Sequence, residues 1–110
     1  MAMPSFQAPA SNMQFIPCAT PGTGHIKTLT TASQQSNVFD ASNGTVVNVF
    51  CVAACCVKVG ASPTADRTTS LPVPAGIGKD IHVPPNQKIA VISLDGVYAG
   101  TDSVFFTPWG

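Results

Sequence analysis

From His25 onward, apolar and polar side chains alternate in short runs. That is the period of a strand, whose successive side chains point to opposite faces. Strands are predicted over His25 to Thr31, Val46 to Ala53, Cys55 to Gly60, Ile77 to Val83, Lys88 to Leu94 and Ser103 to Pro108, with shorter pieces near Val38 and Leu71. Turn chemistry separates them: Ser42-Asn43-Gly44, Gly60-Ala61-Ser62-Pro63, Pro74-Ala75-Gly76, Pro84-Pro85-Asn86 and Asp95-Gly96. No stretch carries a helical stripe. Twelve valines against three leucines, with no glutamate, favour pleated, half-buried strands over helices. Short strands at this spacing predict an all-β chain, a single β-sandwich or jelly-roll-like barrel.

Residues 1–24 follow another rule. Pro4, Pro9, Pro17 and Pro21 each remove an N–H donor and fix φ, which predicts an extended segment. Yet Phe6, Met13, Phe15 and Ile16 are spaced along it, and a purely solvated linker has no use for four large apolar side chains. They predict an N-terminal arm docked on its own body or on a neighbouring subunit. The chain thus divides into an arm, 1–24, and a β-sandwich domain, 25–110. The stretch PGTGHIK at 21–27 lacks the order of a phosphate loop and reads as the hinge between the two.

Composition narrows the partners. At 110 residues one domain is expected, and only 9% of residues are charged, against about a quarter in a typical soluble domain. Five basic residues balance five Asp, so copies of the chain repel one another weakly and association is favoured; a Ser/Thr-rich neutral surface is the plainer alternative. Arg67 is the only arginine and the lysines are scattered, so no basic stripe exists to neutralise phosphates and no nucleic-acid partner is expected. No run approaches the roughly 20 apolar residues that span a bilayer, and the N-terminus lacks the charged and apolar regions of a secretory signal. The chain reads as made in the cytoplasm of its producer, where thiols stay reduced.

The stretch VNVFCVAACCVKVG holds Cys51, Cys55 and Cys56, three of the four cysteines. Alternation places Val49, Cys51 and Ala53 on one face, and Cys55, Val57 and Val59 opposite Cys56 and Lys58. If Ala53 and Ala54 formed a two-residue hairpin turn, Cys51 would lie opposite Cys56, close enough for a cross-strand disulfide. That turn is chemically poor, because such hairpins prefer Gly or Asn at positive φ. The C-x3-C-C spacing also lacks the paired knuckles of a zinc site, so no metal is expected and the thiols read foremost as small buried hydrophobes. His25 and His82 sit in predicted strands without a carboxylate at a catalytic spacing. Asp66, Asp80, Asp95 and Asp102 fall in or beside turns, where Asp bonds its own backbone. No acid, base and nucleophile assemble, so neither enzymatic activity nor a cofactor is expected. At the end of the chain, Phe105 and Phe106 must face opposite ways. Trp109 is expected either to fold back over the barrel or to anchor in a partner's pocket.

Two segments, LPVPAGIGKDI from Leu71 and IHVPPNQKIAV from Ile81, share a Val-Pro step, a turn and an apolar strand, and read as two corners built alike. Together with VNVFCVAACCVKVG, the threonine-rich ASPTADRTTS and the closing SVFFTPWG, they resemble small β-sandwich virion proteins of tailed bacteriophages, the head decoration or cement proteins. The similarity covers roughly residues 46–110 and departs in the cysteine-rich run. It implies a protein of the virion, made in the host bacterial cytoplasm. Such a protein would bind the outer surface of the phage head and stabilise contacts between major capsid proteins as a homo-oligomer, a trimer first. Phe6, Met13, Phe15, Ile16 and Trp109 are then the expected interface residues. The alternatives are another small virion component, such as a head-fibre base, a neck protein or a tail accessory protein, or a carbohydrate-binding adhesion module.

Overall fold

The computed structural model describes residues 22–109. Phe6, Met13, Phe15, Ile16 and Cys18 lie outside the described residues. Within them are eight strands and no helix: β1 (His25–Thr28), β2 (Gln34–Gln35), β3 (Thr45–Phe50), β4 (Cys55–Gly60), β5 (Leu71–Val73), β6 (Lys79–Val83), β7 (Lys88–Ser93) and β8 (Ser103–Trp109). They form two antiparallel four-stranded sheets, ordered β1-β8-β3-β6 and β2-β7-β4-β5. The inward side chains of both sheets meet in one core, where Val47, Val49 and Phe106 of the first pack with Val57, Ile89 and Val91 of the second. The result is a sandwich-like all-β fold.

Burial explains the alternation read from the sequence. In β8, Val104 and Phe106 are fully buried while Phe105 between them is 47% exposed. Strands end where the chain must change sheets. β1 stops at Thr28 rather than Thr31: Leu29 donates its N–H to the Asp102 carbonyl at 2.8 Å, and Thr30 accepts from the Ser93 N–H at 3.0 Å in the other sheet. The short strand expected near Val38 lies instead at Gln34–Gln35, paired with Val91 and Ala90 of β7.

The hairpin considered at Ala53-Ala54 does not form, and Cys51 is not opposite Cys56. β3 and β4 belong to different sheets, and residues 51–54 arch between them. Cys56 is instead flanked by Pro72 and Ile92. The physical reason is twofold. No Gly or Asn is present to supply the positive φ of a tight hairpin. An arch also lets Cys51 and Cys55 enter the same core from opposite sheets.

The two Val-Pro corners share one construction. Gly76 has φ 72° and Asn86 has φ 60°, each at the third position of a turn in which Ile77 and Gln87 donate N–H to Pro74 and Pro84 at 3.4 and 3.3 Å. Positive φ there is the mark of a type II turn, and Gly and Asn are the residues that tolerate it. Each of these two residues also gives its own N–H to a neighbouring loop: Gly76 to the Cys51 carbonyl and Asn86 to the Asp40 carbonyl, both at 2.8 Å. The corners therefore steer the chain between sheets and pin the loops beside them.

Candidate functional site

The outer faces of the two sheets are finished differently. On the sheet β2-β7-β4-β5, the outward Cys56, Ala90 and Ile92 are covered by Ala65 from the 61–70 loop, and all four are buried. Arg67 ties the loop down, its Nε donating to the Ser93 carbonyl at 2.9 Å and its Nη2 to the Thr31 carbonyl at 3.1 Å. Asp66 folds the loop back on itself. Its Oδ1 accepts from the Thr68 and Thr69 N–H groups at 2.9 and 2.7 Å, and its Oδ2 from the Thr69 hydroxyl at 2.6 Å. These bonds, the Thr69 hydroxyl foremost, hold the Asp66 carboxyl well below the usual carboxylate range.

Within the described residues, no such loop roofs the sheet β1-β8-β3-β6. Strand register lines Ile26, Phe105 and Phe50 into one row on its outer face. Ile26 is 54% exposed, and the Phe50 and Phe105 rings lie 6.4 Å apart at 49°. A second row holds Trp109, Val46 and His82, and between the two lie Thr107, Asn48 and Asp80. Asp80 binds this middle row together, its Oδ1 accepting from Trp109 Nε1 and from Asn48 Nδ2, each at 3.0 Å. The indole N–H first, then the amide, lower the Asp80 pKa. The face thus carries large apolar side chains in both outer rows, with His82 at the edge of the second and one fixed carboxylate between the rows.

Trp109, the one expected interface residue that falls in the described chain, belongs to β8, with its indole tied to Asp80. It also helps to line a groove of about 350 Å³ with Gly22, Phe39, Asp40, Gly44, Thr45 and Pro108. The groove lies where the described chain enters, since Gly22 gives its N–H to the Pro108 carbonyl at 2.6 Å. Two residues on, the backbone runs so close to β8 that a Cβ at Gly24 would sit 2.5 Å from the Phe106 carbonyl oxygen.

The remaining candidates are dispersed. Cys51, Cys55 and Cys56 are buried free thiols. Burial pushes Cys55 up to about 12. His25 packs against both Phe39 and Phe106, with ring centroids 5.3 Å from each in a three-ring cluster, and its Nε2 accepts the Asn37 N–H at 3.1 Å. Among the described residues, no three His, Cys, Asp or Glu side chains converge as a metal-holding group. The row of Ile26, Phe105 and Phe50 was missed from sequence, because membership of a row depends on which strands are neighbours. Its one legible sign was the Phe105-Phe106 pair. Comparison with protein-family models, curated proteins and solved structures returns no match to this chain.

Proposed function

We propose that this protein decorates the head of a tailed bacteriophage, docking on the outside of the shell through the outer face of the sheet β1-β8-β3-β6, which no loop covers among the described residues. The observation that carries the reading is the asymmetry of the two outer faces. One is roofed by its own loop, while the other presents Ile26, Phe50, Phe105 and Val46 around a single carboxylate. An apolar patch of that kind marks a macromolecular contact rather than a catalytic centre. The fold is further proposed to be a jelly roll. Support comes from the strand order, in which β1-β8-β3-β6 faces β2-β7-β4-β5 and the chain changes sheets after most strands. The corner motifs that resemble cement proteins add to it.

The mechanism is mass action. A protein that binds the assembled shell and not its separated subunits stabilises the shell, by about 2.7 kcal/mol per site at a hundred times its dissociation constant. Major capsid protein is the proposed partner, and self-association, as a trimer, is the proposed working state on the virion surface. Co-sedimentation with isolated phage capsids, followed by electron microscopy, tests this. Stoichiometric binding at repeated positions, weakened by Phe105→Asp, supports decoration; a few copies at one vertex would move the protein to the neck or tail. A sugar-binding adhesion module is the second reading, favoured by the groove that sets Phe39 and Trp109 beside Asp40. Saturable binding on a glycan array would place it first.

A further inference from the structure

The two sheets leave four edge strands, β1 and β6 on one and β2 and β5 on the other. An edge strand offers a row of backbone N–H and C=O groups to which a further chain can pair. Three of the four are poor templates for a second copy. β2 has only two residues, β5 holds Pro72 at its centre, and β1 has four residues, an even number. Parity matters because residues facing each other across an antiparallel ladder point to the same side of the sheet. Two copies of one strand related by a two-fold axis keep inward with inward side chains only where a residue faces its own counterpart. Full overlap of β1 instead sets Ile26 opposite Lys27, which point to opposite sides.

β6 meets the condition. Lys79–Val83 has five residues, contains no proline and is centred on Ile81. One side of it pairs with β3, and among the described residues no other backbone group bonds to it. β8 and β3 separate this edge from β1, beside which the described chain begins. With Ile81 on the axis, Asp80 falls opposite His82 of the partner subunit, twice over. Cβ atoms so placed are about 4.5–5.5 Å apart, within reach of an imidazole N–H and a carboxylate. Asp80 is already fixed for this role. Its Oδ1 is filled by Trp109 Nε1 and Asn48 Nδ2, each at 3.0 Å, while its Oδ2 has no donor among the described residues. The other registers that keep the faces matched fail. Centring on Lys79 or Asp80 sets like charges against each other, and centring on His82 or Val83 brings Pro84, which has no N–H to give, into the ladder.

We infer that two copies of this chain pair antiparallel through β6, with Ile81 on the two-fold axis, joining their β1-β8-β3-β6 sheets edge to edge. This is a pair of the free protein, separate from the trimer proposed on the shell, and it does not rest on the capsid reading. Five facing residues make a contact far smaller than the standard interface of about 1,600 Å² in total, so the pair forms in the high µM range. Sedimentation of the isolated full-length protein at rising concentration is expected to show a reversible monomer–dimer equilibrium. Over the same range, hydrogen exchange is expected to slow at β6 and not at β1. A monomer throughout, or a dimer whose protection lies outside β6, overturns the proposal. The register is read by exchanging partners. His82→Asp sets carboxylate against carboxylate and Asp80→His sets imidazole against imidazole, so each variant alone is expected to dimerise at least about tenfold more weakly. Mixed together, the two variants regain both Asp–His pairs, and a heterodimer tighter than either homodimer is expected. Two variants that unfold in urea as the parent does, yet gain nothing on mixing, overturn the register.

Discussion

His25 illustrates how one side chain can make a β-sandwich sensitive to acid. Its imidazole packs against two phenylalanine rings and uses Nε2 as an acceptor, so the folded protein favours the neutral form. Burial first, and the Lys27 charge second, lower its pKa from the ordinary 6.5. Between the folded and unfolded values, the unfolded chain binds more protons. Stability is therefore complete above about pH 6.5 and is lost as pH falls through the folded pKa. Urea unfolding across that range is expected to weaken on acidification in the parent and to respond less in His25→Phe; parallel profiles would remove His25 as the cause. The thiols behave oppositely, as inert packing. With Cys55 at about 12 and Cys51 equally buried, a thiol reagent reacts only through opening of the sandwich. In a Cys18→Ser variant, native labelling is expected to be slowed at least about 10³-fold relative to the denatured chain, since that small a fraction of a stable domain is open. Rapid native labelling would contradict the buried assignment.

Among the elements, β8 sorts neighbouring phenylalanines into different tasks. Phe106 is fully buried between the sheets, so Phe106→Ala is expected to cost about 3–5 kcal/mol in urea unfolding. Phe105 mainly contacts Phe50 on the outer face, so Phe105→Ala is expected to cost about 1 kcal/mol. Equal losses would mean that the outer row is structural. The 61–70 loop allows a second comparison. Asp66→Ala removes the acceptor for both Thr68 and Thr69, and hydrogen exchange is expected to speed up at those amides. Acid does the same in the parent. The folded pKa of Asp66 lies below its unfolded value, so its contribution is full above the usual carboxylate range and disappears as pH falls through the folded value. Exchange unaffected by either change would leave the roof to Arg67 alone.

These elements were legible in sequence to different depths. The alternation around Val47, Val49, Val57 and Val91 marked inward faces, because burial imposes the period of two directly on residue type. The corners at Gly76 and Asn86 were legible for a similar reason, since positive φ restricts which residues fit. The connection at Ala53-Ala54 was not, because a hairpin and an inter-sheet arch leave the same apolar pattern on either side. The outer row of Ile26, Phe105 and Phe50 was also hidden, since it is assembled from β1, β8 and β3, strands far apart in the chain. Trp109 was singled out as a contact residue, but its bond to Asp80 depends on register across three strands and could not be foreseen.

At the scale of the whole molecule, the first and last described segments are neighbours. Gly22 bonds the Pro108 carbonyl, while β1 and β8 pair along their length. The loop at Gly96-Val97 lies elsewhere, with Val97 85% exposed and its N–H turned back to the Asp95 carboxylate at 3.0 Å. Contact between distant stretches of chain, rather than the order in which they are joined, holds this sandwich together. The covalent starting point is therefore movable. A circular permutant that joins Trp109 to Gly22 through a short flexible linker and opens the backbone after Gly96 would keep all eight strands, because chain ends are tolerated at exposed loop tips. It would also release a new pair of ends away from the groove, turning the exposed loop at Gly96-Val97 into a site for attaching cargo.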